Sequence, residues 1–478
     1  MPTPKIAIIG AGPSGLTLAS LLHKSPSFPT PNITIFDLRP RPTASSLSTP
    51  SGSLDLHASS GQLALAKCGL LEQFKSLASE CSEEMIISDA GGVVRYHDQG
   101  HGGDRPEISR NALTELLLSS VPEEVIKWET KVLSVVRSAS SSGKKWNITS
   151  SSSRKINSTS STEASAEEAE AEMHEFDLVI GADGAWSKSR ASLPGTTTPF
   201  YSGVSAITLT VTNLSTHAPL NSLLGQGTFW ACAPRRTLIA QHGSHDSARI
   251  YLMLASPSET YLQDKGLTGL TGAELATKLL DHESPKAEPE PESKPELEVE
   301  FLFQNFSKNI KDLITTACFS EPSIIDAKPL YMLPPSNTWT HTPGLTLIGD
   351  AAHLMTPFAG EGVNCAMLDA LELSKAIIST STSISTSTST STSTSTSTAS
   401  NQITDDLDKA IQVFEIRMWR RSRGIAEDTY RNLKMIFEDE KVPEGIVKDF
   451  ESHGGVVDMV TMGFGFLRGK INEVLGYD

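Results

Sequence analysis

The sequence predicts an α/β protein: a Rossmann-like domain, interrupted by an inserted, largely antiparallel β-sheet domain and closed by a C-terminal helical region. Three stretches of the 478-residue chain carry that prediction. The first is Lys5-Ile6-Ala7-Ile8-Ile9, running into Gly10-Ala11-Gly12-Pro13-Ser14-Gly15 and a helical pattern from Leu16 to His23. The second repeats the layout, with an apolar run from Phe176 to Ile180 before Gly181-Ala182-Asp183-Gly184. The third is Leu345 to Ile348, then Gly349-Asp350, a loop holding Pro357, Gly360 and Gly362, and a helix from Val363 to about Ile378. Strand, glycine turn and helix in succession is the layout of a parallel sheet whose ligands lie at the strand carboxyl ends.

Each element has its own reason. In the first turn the glycines Gly10, Gly12 and Gly15, with Ser14, allow a tight bend and the approach of a pyrophosphate to a helix N-terminus. Ile33 to Phe36 supplies the next strand and ends at Asp37, 22 residues past Gly15, with Arg39 just beyond. An acid there binds ribose hydroxyls; a plain strand-end cap is the other reading. Asp55 and His57 alternate with leucines on one face of a short strand, which is either solvated or lines a site. A helix follows from Ser59 to Leu71. Arg110 opens a further helix, against the preference of a helix N-terminus for negative charge. That placement suggests an anionic or carbonyl partner, the alternative being a surface arginine. Asp183 and Gly184 either hold the pyrophosphate or brace the first glycine loop.

From Gly203 to Leu254 alternating β-branched segments predict antiparallel hairpins. Arg235, Arg236, Gln241 and His242 lie on or beside them, as substrate contacts or solvated strand residues. In the third stretch Asp350 can accept hydrogen bonds from a sugar-like hydroxyl chain. Gly360 and Gly362 let a flat ring approach backbone N–H groups, and the following helix favours negative charge at that ring. Together with the N-terminal loop, this run predicts a flavin pocket and FAD as cofactor.

Composition narrows the field. Glu163 to Glu175 holds six acids and no lysine or arginine, and Glu283 to Glu300 holds seven acids and two lysines. These two segments account for most of the net charge of −16. With no basic stripe, no nucleic-acid partner is expected. The five cysteines show no metal or C-x-x-C spacing, which predicts reduced thiols and no metal site. No signal peptide or membrane span is read, so a cytoplasmic location is expected. Ser150 to Glu175, His282 to Glu300 and the Ser/Thr repeat from Ser379 to Ser400 read as loops or tethers without a core. Leu433 to Phe466 reads as an amphipathic helical tail.

The Gly10–Gly15, Gly181–Gly184 and Gly349–His353 runs resemble, in that order, the class A FAD-dependent monooxygenases of the para-hydroxybenzoate hydroxylase fold. Ser53-Leu-Asp-Leu-His57, Pro106-Glu-Ile-Ser-Arg-Asn111 and Asp350 to Gly360 are most similar to the tetracycline-inactivating branch. The resemblance implies that Asp55, Arg110 and Asp350 bind FAD, with Pro357, Gly360, Gly362, Val363 and Asn364 around the flavin ring. It implies that Arg236 contacts substrate and that Thr208 stands where the family has a substrate-binding glutamine. It further implies NADPH or NADH as co-substrate, molecular oxygen as oxidant through a flavin C4a-hydroperoxide, and an aromatic or polycyclic small molecule as substrate. The segment around Ser48 lacks the family arginine associated with the nicotinamide. No protein nucleophile or other catalytic side chain is expected, and the chain is expected to be a monomer. Rival readings are a non-enzymatic FAD-binding protein and a flavin-dependent halogenase, whose W-x-W-x-I-P run is absent. The expected division is 1–75, 104–195 and 335–378 for FAD, and 76–103 and 196–334 for substrate. The Ser/Thr-rich insertion then spans 379–404 and the helical region 405–478.

Overall fold

The computed structural model describes residues 4–26, 32–78, 84–99, 106–139, 145–152, 171–280, 302–320, 324–387 and 396–452. Among them a five-stranded sheet runs in the order Leu345–Leu347, Leu178–Gly181, Lys5–Ile9, Asn32–Phe36, Ile126–Lys127. Every pairing in it is parallel. Its strands are covered on both faces, so Ile6, Ala7 and Ile8 are fully buried, which is why they read as continuous apolar runs. The three strands that precede the glycine turns are immediate neighbours. All three turns therefore emerge side by side at one edge of the sheet.

The second large sheet has seven strands, in the order Asp326–Met332, Phe200–Thr212, Ser247–Ala255, Arg236–Gly243, Thr228–Ala233, Met85–Asp89, Val94–Asp98. Only the pairing of Thr228–Ala233 with Met85–Asp89 is parallel. Side chains alternate across it. Ile207, Leu209, Val211, Ile250, Leu252 and Leu254 share a core with the helices Gly272–Leu280 and Lys308–Ser320. The opposite face, through Val204, Ala206, Ile239 and Met253, packs with Phe358 and with Leu433, Ile436 and Phe437. That second face is turned toward the third glycine turn.

Behind the parallel sheet, Met367, Leu371 and Ile377 of the helix Gly362–Ser387 share a core with Ile411, Phe414 and Met418 of the long helix Thr396–Phe437. Both helices extend into the Ser/Thr repeat, which the sequence pattern assigned to a tether. Extending an established helix needs only propagation, not a new nucleus, so a neutral polar repeat can follow. Residues 388–395 of the repeat lie outside the described residues. The expected Phe176–Ile180 strand is two strands: Ala171–Phe176 pairs antiparallel with Trp146–Ser152, and Leu178–Gly181 joins the parallel sheet. The serine-rich hairpin is anchored by buried Trp146, Ile148 and Phe176. The expected helix from Ser59 to Leu71 is likewise two, Gly61–Lys67 and Leu71–Leu77. The acidic, proline-rich 282–300 segment and the tail beyond Ser452 lie outside the described residues. Among the described residues no helix is long and apolar enough to cross a membrane.

Candidate active site

The first glycine loop is locked to its neighbours through backbone. Gly10, at φ +108°, lies against the carbonyl of Ala182, and the Ala182 N–H donates to the Ile9 carbonyl at 2.8 Å. Ser14, buried in the first helical turn, meets Gly349. The three turns are thus in mutual contact. Gly12 and Gly362, by contrast, have no protein atom within 4 Å of the place a Cβ would take. They leave open backbone at two helix N-termini, the Pro13–Lys24 and Gly362–Ser387 helices. Such N–H groups suit the phosphates and the electron-rich ring edge of a flavin dinucleotide.

Asp37 is almost fully buried and accepts four hydrogen bonds. Ala11 N donates at 2.7 Å, and Arg39 donates through N (2.8 Å), Nε (3.0 Å) and Nη2 (2.9 Å). Burial raises its carboxyl pKa, but Arg39 and Ala11 outweigh that and hold it below the usual range. Arg39 also donates to the Ala11 carbonyl at 2.9 Å, closing the loop from outside. Asp183 accepts from Ser187 Oγ at 2.6 Å and Lys188 N at 2.7 Å. It caps the short helix after it, and Ala182 supplies the contact to Gly10.

Asp350 opens the third turn. It stays exposed among the buried residues Ile348, Gly349, Ala351 and Ala352, so it lines a recess. Enclosure raises its carboxyl pKa, opposed by the positive charges of His353, Arg110 and Arg190. Arg190 is buried and donates to the Ala351 carbonyl at 3.1 Å. The sequence reading missed Arg190, and also the anchor beneath the turn. The Asp369 carboxylate accepts from Gly349 N (3.0 Å) and Arg421 Nη2 (2.6 Å) and bonds His353 Nε2 (2.6 Å). From the long helix, Thr429 Oγ1 donates to the Thr356 carbonyl and Asn432 Nδ2 to the Phe358 carbonyl, buttressing the Pro357–Ala359 segment.

The Gly360–Asn364 segment is tied to the Asp55 strand. Asn364 is fully buried; its Oδ1 accepts from His57 N (2.9 Å), Ser60 Oγ (3.1 Å) and Gly61 N (3.3 Å), and its Nδ2 donates to the Asp55 carbonyl (3.0 Å). Its amide is engaged within the chain on both its oxygen and its nitrogen. His57 lies between Asp55 Oδ2 at 2.9 Å and Glu361 Oε1 at 3.2 Å. Glu361, which stands between Gly360 and Gly362, escaped the sequence reading. Burial disfavours charge on His57, but Asp55 and Glu361 prevail and push its pKa up to about 9. Because the folded chain holds this proton more tightly, the stabilisation is complete below about pH 6.5 and lost as pH rises through about 9. His57→Gln is therefore expected to cost about 3 kcal/mol at pH 6 and little at pH 10, read from urea midpoints at the two pH values. A loss independent of pH would show that the imidazolium is not what holds this pair.

The substrate-side assignments divide. Thr208 is buried on the sheet face that carries Val204 and Ala206, the face turned toward Phe358. Arg236 is on the other face. Its Nη1 donates to the Leu302 carbonyl at 2.9 Å, and its guanidinium lies 6.0 Å from the Phe306 ring centroid, in the helix-covered layer. The expectation that it meets substrate is corrected here. The side chains that share the Thr208 face are Tyr251, beside Gly52, together with Arg249, Gln241 and Trp230. Gln241 was among the sequence candidates, and strand alternation would have added Arg249 and Tyr251, had the register been read from Ile250 and Leu252.

Known proteins resemble this chain in sequence and in fold. The FAD binding domain family matches residues 285–404. Monooxygenase penA of Penicillium thymicola is 38% identical over 447 residues, covering 91% of this chain and 96% of that protein. Monooxygenase asqM of Emericella nidulans is 36% identical over 455 residues, covering 91% and 96%. In fold, the chain is similar to CtdE in complex with FAD and a substrate (TM-score 0.65, 15% identity, 99% and 100% of the chains covered). It is also similar to tetracycline destructase Tet(55) (TM-score 0.59, 13% identity, 96% and 97% covered). Similarity to these monooxygenases over nearly their whole length, together with the FAD binding domain match, places this chain in the FAD-dependent monooxygenase family.

Proposed function

We propose that this enzyme uses NADPH or NADH and molecular oxygen to hydroxylate an aromatic or polycyclic small molecule of the secondary-metabolite kind, acting as a cytoplasmic monomer. The observation that supports this most is the convergence of the three glycine turns at neighbouring strand ends, facing the Thr208 side of the seven-stranded sheet. Gly10, Gly12, Ser14 and Gly15 would hold the pyrophosphate of FAD, with Asp37 and Arg39 at its ribose end. Asp55, Arg110 and Asp350 would surround the ribityl chain and ring edge. Pro357, Gly360, Gly362, Val363 and Asn364 would pass their backbone beneath the ring, with Asp183 bracing the glycine loop. Bound FAD supplies hydride acceptance and oxygen activation. The chain's own part is positioning. The N-terminus of the Gly362–Ser387 helix stabilises negative charge on the ring, and the sheet face with Phe358 covers the reacting centre from water. The hydride donor has to enter without the family arginine, since Ser48 and its neighbours carry no cation.

The test is the visible spectrum of purified, FAD-loaded protein, followed by anaerobic addition of NADPH or NADH with a panel of phenols and tetracyclines. Bleaching accelerated by one compound, with oxygen incorporated on re-aeration, is expected. Flavin bands that no reduced nucleotide bleaches would remove the monooxygenase reaction from this chain.

A further inference from the structure

The sheet face opposite the flavin turns is organised in rows, and one of them is polar. Register places Thr210, Arg249, Gln241 and Thr228 side by side across four strands. The adjacent row holds Thr208, Tyr251, Ile239 and Trp230. Ala248, Ile250 and Leu252 point into the helix-covered core, so alternation turns Arg249 and Tyr251 the other way, toward the flavin turns. The row also reaches those turns physically. A Cβ on Gly52 would lie 2.5 Å from Tyr251 Oη and 3.5 Å from Arg110 Nε. Arg110 in turn acts on Asp350.

Arg249 is half-buried there, and its one hydrogen bond among the described residues is donated to Thr210 Oγ1. Among the described residues it forms no salt bridge. A half-buried guanidinium carries five N–H donors, and the bond to one hydroxyl leaves most of them for an acceptor on this face. Trp230 Nε1, in the neighbouring row, is buried and has no hydrogen-bond partner among the described residues. Its indole and the Tyr251 ring offer flat apolar surface beside the cation.

From this juxtaposition we infer that Arg249 is the specificity-determining residue of the substrate site, and that the substrate is a planar ring bearing an anionic oxygen group, a carboxylate or enolate. The anion meets Arg249 while the ring lies against Tyr251 and Trp230. This rests on the proposed reading only in taking the Thr208 face as the substrate side.

The test uses oxidised, FAD-loaded protein and needs no reduction. Salicylate and 1-hydroxy-2-naphthoate, each against its own carboxamide, are titrated while the flavin absorbance is followed. The acids are expected to bind at least roughly tenfold more tightly than the amides. Arg249→Gln is expected to erase that preference by weakening the acids alone, and Arg249→Lys to keep part of it. Arg236→Gln, on the far face, is expected to leave it intact. Acids and amides binding equally to the natural protein, Arg249→Gln weakening both alike, or neither class perturbing the flavin would overturn the inference. Retained flavin content in Arg249→Gln separates a binding effect from misfolding. If reduced nucleotide fails to bleach the flavin while the acid preference holds, the reaction assignment falls and the ligand class stands.

Discussion

Gly10→Ala is expected to abolish FAD retention and to lower stability, whereas Gly12→Ala is expected to lose FAD while keeping the fold. The difference lies in what each new methyl meets. At Gly10 a Cβ would lie 2.2 Å from the Ala182 carbonyl oxygen, at φ +108°. That oxygen belongs to backbone fixed by the Ala182 N–H bond to Ile9, so it cannot turn aside. The positive φ alone costs about 1–2 kcal/mol for a residue with a side chain, and relieving the clash means separating two paired strands. At Gly12 the added methyl meets no protein atom within 4 Å, so it costs the fold little. It does occupy the space a phosphate needs at the helix N-terminus. Thermal melts and FAD titrations of both variants check the pair. A Gly12→Ala protein that binds FAD normally would remove the pyrophosphate from that loop, and a stable Gly10→Ala protein would contradict the close packing of the two turns.

Asp369→Leu carries the second large effect. The carboxylate is fully buried and joins Gly349 N, His353 and Arg421. Burial raises its pKa, but these partners outweigh that and hold the carboxyl below its usual range. Removing it leaves the buried Arg421, among the described residues, with Glu372 as its remaining ion-pair partner and strips Gly349 N of its acceptor. Breaking a buried charge pair from one side costs about 3–5 kcal/mol, and the Gly349–Asp350 turn loses its anchor as well. Asp369→Leu combined with Arg421→Met removes both charges and is expected to recover much of the stability but not the FAD affinity. Urea unfolding and FAD titration of the single and double variants measure this. A single variant within about 1 kcal/mol of the natural protein would show that the network is not needed.

What the sequence revealed was local or periodic. The glycine loops were legible because strand, turn and helix are contiguous there, and the antiparallel sheet because alternation over Ala206 to Thr212 needs no partner to be seen. Arg236 was given to substrate by the family resemblance, and a resemblance does not say which face of a strand a side chain takes, whereas one residue of offset decides it. The pairing of His57 with Glu361 and the Asp369–Arg421 anchor join distant parts of the chain and leave no local trace. Asn364 was read from the sequence as a residue of the flavin turn, and its side-chain oxygen holding His57, Ser60 and Gly61 again joins distant parts of the chain. The helical ends of the Ser/Thr repeat are inherited from the apolar helices on either side and are not encoded in the repeat.

The strand order of the parallel sheet has a consequence for biogenesis. Lys5–Ile9 is synthesised well before its neighbour Leu178–Gly181, and the edge beyond that closes only with Leu345–Leu347. At synthesis rates of roughly 5–20 residues per second, each gap of about 170 residues leaves an apolar strand edge unpaired for roughly 10–30 s. A nascent chain in that condition presents a flat, Ile-rich template to other chains. Its yield in the cell is then governed by chaperones and translation speed rather than by the stability of the finished fold.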